Sequence, residues 1–161
     1  MSHDQVLKQD MQSFIVEHFD QNNWENVNES HVLDIGIDQF WDMTFEKDGR
    51  LPINTFYEMT EDFSNVKITD WDASGQKIMD LDTKITGIPY IDKTRTQIKI
   101  QKKIKNDSMF VVELTSETFD LPQSSYFLIH EAWVVMQSPF NEHQTVFQRL
   151  MWFEFTSWTI M

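Results

Sequence analysis

The chain has 161 residues, 40% apolar and 14% aromatic, with a formal charge of −13 and no cysteine. That length suits one domain with a real core, and the aromatic content excludes a disordered chain. The acidic balance disfavours nucleic acid, whose phosphates are bound by Lys and Arg. The lack of thiols removes disulfides, thiolate metal sites and a cysteine nucleophile, and fits a reducing compartment.

Asp4 to Phe19 reads as an amphipathic helix, with Leu7, Met11, Phe14, Ile15, His18 and Phe19 at helical spacing and Gln21-Asn22-Asn23 as its stop. His31 to Ile37 is a first short strand. Asp38 then suits the cap of a helix through Phe40, Trp41, Met43 and Phe45. Lys47-Asp48-Gly49 ends that helix, and Pro52 fits the first turn of another, Leu51 to Thr60.

From there the pattern is β. Strands are expected over Asn65–Trp71, Lys77–Thr86, Thr94–Ile104 and Met109–Phe119. Asp72-Ala73-Ser74-Gly75 and Asn106-Asp107 supply turns, and Gly87-Ile88-Pro89 a break. In Thr94–Ile104, Thr96, Ile98, Ile100 and Ile104 alternate with Arg95, Gln97, Lys99, Gln101 and Lys103. Asp120 to Trp158 holds two longer strands around Ser138-Pro139-Phe140-Asn141. Both are apolar on both faces: Tyr126 to Ile129 and Trp133 to Val135, then Phe147, Leu150 to Phe153 and Phe155. A strand wet on one side alternates, so something apolar must cover each face: a helix, a lipid or another protein.

The expected class is α+β: a curved antiparallel sheet of about seven strands, mostly meandering hairpins, with helices confined to the N-terminal part. Such a sheet needs a lid, and the N-terminal helix is the only long one visible. No run of about 18 apolar residues encodes a transmembrane helix. The start, Met1-Ser2-His3-Asp4-Gln5, has neither a basic nor an apolar region, so no secretory signal is expected.

Three segments carry a resemblance. They are Val66-Lys67-Ile68-Thr69-Asp70-Trp71 with Gly75 and Lys77; Thr94 to Gln101; and Asp120-Leu121-Pro122-Gln123-Ser124-Ser125-Tyr126-Phe127 with Trp133 beyond it. In order and spacing, with the first strand entering Asp38-Gln39-Phe40-Trp41, residues 30 to 158 resemble the VASt (Aster) domain. That is the sterol-binding module of membrane-contact-site lipid transfer proteins, a START-like helix-grip fold. The resemblance implies a VASt-like domain over residues 28–161, preceded by a helix and linker at 1–27. It also implies a long C-terminal helix roofing the cavity. The sequence ends at Met161, just after the last strand, so either it is a fragment or the expected roof is the helix Asp4–Phe19 or a second chain.

The candidate lipid surface is Met79, Leu81, Ile98, Ile100, Phe110, Val112, Leu114, Phe127 and Phe153; taken singly, each is more simply a core residue. His130, Glu131 or Arg149 would orient a ligand hydroxyl, depending on which faces of the last strands point inward. Lys93, Arg95, Lys99, Lys102, Lys103 and Lys105 gather six of the thirteen basic residues. Arg95, Lys99 and Lys103 share a face that suits an anionic membrane or an acidic partner, or is simply solvated.

No cofactor or metal is expected, because the five histidines (His3, His18, His31, His130, His143) lack metal-ligand spacing and four glycines make no phosphate loop. The leading reading is a non-enzymatic, cytoplasmic lipid-binding module for a sterol or similar ligand, moving it between membranes. The alternative is a structural subunit whose apolar faces meet other protein chains.

Overall fold

A computed structural model describes residues 1–46, 48–121 and 127–155. In chain order the elements are α1 (His3–His18), β1 (Glu25–Asn26), β2 (His31–Leu33), α2 (Ile37–Phe45), α3 (Ile53–Glu58) and β3 (Phe63–Ile68), followed by β4 (Gln76–Lys84), β5 (Lys93–Lys105), β6 (Met109–Thr118), β7 (Phe127–Gln137) and β8 (Thr145–Phe155). From β3 to β8 each strand pairs antiparallel with the next. β1 and β2 lie one after the other along the free edge of β8. The sheet therefore has eight strands among the described residues. The unforeseen one is β1, whose two residues are too few to show a period. Expected residues 122–126 and 156–158 of the two long strands fall outside the described residues.

The period-2 alternation divides the sheet into two faces, and each is apolar in its middle. The inner face packs beneath α2 and α3. Ile37, Phe40, Trp41, Phe45 and Ile53 from these helices are buried against Met79, Leu81, Ile98, Ile100, Phe110, Val112, Leu114 and Val135. Phe45 sits at the centre, its ring within 6 Å of Trp41, Phe110 and Trp133. Trp41 stacks on Trp71 at 5.7 Å, and the Lys102 ammonium lies 4.4 Å from the Trp71 ring centre.

The outer face carries α1. Leu7, Met11, Ile15 and the following Phe19 are buried with Val111, Ala132, Val134, Val146 and Leu150. This corrects one expectation. The N-terminal helix does not roof the concave face; it covers the opposite one. The cause lies in β7, where Trp133 and Val135 feed one cluster while Ala132 and Val134 feed the other. Each face needs its own cover, and the short helices have already taken the first.

Local chemistry fixes the helices. Ser2 and Gln5 form a reciprocal capping box at the start of α1. Buried Gln148 ties α1 to the sheet: its Oε1 accepts from Ser30 Oγ at 2.8 Å and Gln12 Nε2 at 3.3 Å. At α2 the cap is Gly36, not Asp38, which sits in the first turn. A Cβ on Gly36 would lie 2.6 Å from the Glu142 carbonyl oxygen, so no side chain fits there. The Gln137 side chain acts instead, accepting from Ile37 N at 2.9 Å.

If the second cover is as firm as the first, truncating its centre is costly. Met11→Ala is expected to lower unfolding free energy by about 2–4 kcal/mol in urea titration. Val16→Ala, on the exposed side of the same helix (64% exposed), should stay within about 0.5 kcal/mol.

Candidate functional site

The inner face has two ends. Toward β2 and the β7–β8 connection it is closed by α2. Toward the start of β7 and the end of β8 it carries Phe127, Ile129, Met151, Phe153 and Phe155, which are cross-strand neighbours through the pairs Phe127–Phe155 and Ile129–Phe153. None of these five belongs to either buried cluster among the described residues. Phe153 is 55% and Phe155 66% exposed. Phe127, Ile129 and Met151 are half-buried beside them, which makes this end the candidate binding surface.

Across the sheet, the same end is lined by hydroxyls. Ser116 pairs with Ile129 and Thr118 with Thr96. Thr83 and Thr96 bond to each other at 2.8 Å, whereas the buried Thr118 Oγ1 has no hydrogen-bond partner among the described residues.

Between the closed and open ends runs a polar girdle. Glu131 Oε1 accepts from Arg149 Nε and from Trp133 Nε1, both at 2.7 Å. The Glu131 side chain is 14% exposed and Arg149 34%. Tyr57 of α3 joins them. Its pKa is pushed up to about 12, first by burial and then by the Glu131 carboxylate, with Arg149 working in the other direction. The Phe56 ring lies 6.2 Å from that of Trp133, so α3 borders the girdle.

Of the nine residues read as a lipid surface, seven (Met79, Leu81, Ile98, Ile100, Phe110, Val112 and Leu114) form one continuous buried floor with α2 and α3. Phe127 and Phe153 continue the same face at its open end. Of the three candidate orienting groups, Glu131 and Arg149 project inward. His130 is on the outer face, stacked on Trp152 at 4.7 Å.

His130 also joins a relay-like row. Its Nδ1 is 3.2 Å from Thr115 Oγ1 and its Nε2 2.6 Å from Glu154 Oε2. The row resembles a hydroxyl–imidazole–carboxylate set in order only. Thr115 lies mid-strand with both neighbours paired, so the local backbone N–H groups serve the ladder and form no oxyanion hole.

The basic strand is largely engaged. Arg95 Nη2 is 3.1 Å from Asp80, Lys103 3.8 Å from Glu113 and Lys93 3.7 Å from Asp82. Lys102 and Lys105 lie over the Trp41 ring at 5.4 and 5.0 Å. Lys99 is exposed on the outer face, between Arg95 and Lys103. Among the described residues no group of His, Asp and Glu could hold a metal ion. No helix there is long and apolar enough to cross a membrane.

An open, curved antiparallel sheet gripping helices on its inner face is the START-like helix-grip architecture. The sequence matches the profile of the VASt family, the VAD1 analog of StAR-related lipid transfer domain, over residues 26–161, and the chain belongs to that family. Lipid binding in general is what that membership supports. No curated protein matches the chain at a significant level.

The burial of Tyr57 has a readable pH signature. A phenol whose folded pKa lies above its unfolded value stabilises the native state fully below about pH 10, and that share is lost as pH rises toward 12. The urea midpoint of the native chain should therefore fall more steeply between about pH 9.5 and 11.5 than that of Tyr57→Phe. Parallel curves would mean that Tyr57 ionises as freely in the fold as out of it.

Proposed function

We propose that this chain is a non-enzymatic carrier of an apolar lipid, a sterol or a molecule of similar shape, held against the open end of the inner face. The observation that carries the reading is the apolar row Phe127, Ile129, Met151, Phe153 and Phe155, half-buried at the first three residues and exposed at Phe153 and Phe155. It continues the buried floor in a fold whose family is lipid-transfer-like. A site of this kind is mostly apolar with a few polar groups, and the girdle at Glu131 and Arg149 supplies them. The floor residues Met79, Leu81, Ile98, Ile100, Phe110, Val112 and Leu114 support the ligand's bed from beneath the helices, while Phe127 and Phe153 touch it.

The work proposed is capture from one membrane, passage through the cytoplasm and release at another, without covalent chemistry. Docking through Arg95, Lys99 and Lys103 to an anionic bilayer is the lesser part of the reading, because Asp80 and Glu113 already neutralise two of the three. The exposed phenylalanines also favour a second reading, in which another protein subunit covers the same surface and no lipid is carried.

Purified chain should quench or shift a fluorescent sterol such as dehydroergosterol with saturable, one-to-one stoichiometry, and should move it between vesicles. Phe153→Glu, at an exposed position that leaves the core intact, should weaken capture by at least about tenfold. A chain that binds no lipid and elutes as an oligomer that Phe153→Glu dissolves would instead support the subunit reading. For docking, Lys99→Glu should lower retention on phosphatidylserine vesicles at low salt; unchanged retention would remove that face from consideration.

A further inference from the structure

The girdle has unused hydrogen-bonding capacity, and its arrangement selects among ligands. Arg149 gives its Nε to Glu131, and its two terminal nitrogens have no hydrogen-bond partner among the described residues. Glu131 uses Oε1 twice, for Arg149 and Trp133, and among the described residues no hydrogen bond engages its Oε2. Both groups lie on the inner face, one strand apart. Trp133, Val135 and Phe147 are on one side of them and Ile129, Met151 and Phe153 on the other.

Resting on the lipid-carrier reading above, we propose that Arg149 and Glu131 are the head-binding pair of the site, and that they select a neutral lipid bearing a free hydroxyl over anionic or ether-capped lipids. Three features argue this. The carboxylate is fixed by two donors at 2.7 Å before any ligand arrives, so its orientation is set in advance. The pair offers donors on Arg149 and an acceptor on Glu131 side by side. A hydroxyl is the small group that uses both, accepting from the guanidinium and donating to Oε2. The pair is also net neutral, so an anionic head drawn to Arg149 would meet Glu131 at close range, in a half-buried place where charge repulsion is poorly screened.

The dimensions agree. From Arg149 to Phe155 the strand runs six residues at about 3.3 Å each, roughly 20 Å of mostly apolar surface ahead of the polar head. The lipid body would lie along Met151, Phe153 and Phe155, with its hydroxyl end inward and its tail toward the open end. The unpartnered Thr118 hydroxyl is the competing polar end and defines the opposite orientation.

The test uses the whole chain and four probes that differ chiefly at C3: cholesterol, its 3-methyl ether, the corresponding 3-ketone and cholestane, each competed against bound dehydroergosterol. The native chain should favour cholesterol over the ether and ketone by about tenfold or more, since neither can donate to Glu131. Glu131→Gln should narrow that gap, and Arg149→Met should bring cholesterol and cholestane close together. Thr118→Val should change none of these ratios. The comparison within the native protein does not depend on any variant folding.

Equal binding of cholesterol and its ether by a chain that binds both well would overturn the head-binding pair while leaving the lipid-carrier reading intact. So would a selectivity abolished by Thr118→Val. Tighter binding of oleate than of cholesterol would overturn the preference for a neutral head. Failure to bind any of the probes or dehydroergosterol would remove the underlying reading and this one with it.

Discussion

The structure depends on β7 being apolar on both sides. A central strand with Trp133 and Val135 facing one way and Ala132 and Val134 the other cannot leave either face in water. Burial of a large aliphatic or aromatic side chain is worth about 1.5–3 kcal/mol, so a bare face would forfeit several such contributions at once. The fold supplies two covers of different origin. One is the pair α2 and α3, inserted between β2 and β3. The other is α1, which comes from outside the meander. With both in place, the exposed large apolar side chains of the strands, among the described residues, are Phe153 and Phe155 at the far end of β8.

That confinement organises the site. Because α2 closes one end of the inner face, the proposed ligand would reach the other end without displacing core side chains. The girdle of Glu131, Arg149, Trp133 and Tyr57 stands at the boundary between the two. Its hydrogen bonds hold polar groups at mid-sheet where an unpaired charge would be costly. A polar group kept at the inner limit of an apolar surface gives a bound molecule a direction as well as a place.

Much of the architecture was legible in the sequence, because period-2 alternation in β4, β5 and β6 places Met79, Leu81, Ile98, Ile100, Val112 and Leu114 on one face without reference to anything distant. The inner direction of Phe127 and Phe153 does not follow from that rule alone, because β7 and β8 are apolar on both faces. What the alternation cannot give is which face a separate element will cover. The stripe Leu7, Met11, Ile15 announces that α1 packs somewhere, yet its destination is decided by Val111, Val134 and Leu150, about a hundred residues or more away. The cap of α2 was misread for a similar reason. Asp38 has suitable local chemistry, but the Glu142 carbonyl leaves room only for Gly36, and Gln137 supplies the missing acceptor from another strand. Which of Glu131, Arg149 and His130 faces inward is likewise fixed only by the packing of β7 and β8 against their two covers.

The placement of α1 also sets a schedule. Its residues are synthesised well before the β8 residues it packs on, Val146 and Leu150. At about 5–20 residues per second, a nascent chain carries Leu7, Met11 and Ile15 without their partner strand for roughly 10–30 s. The helix content of α1 is then supported by little beyond its Ser2 and Gln5 cap, since an isolated helix of this length is marginal in water. For that interval its apolar stripe is a target for chaperones, which makes the rate of chain elongation a variable in how much of this protein reaches its native state.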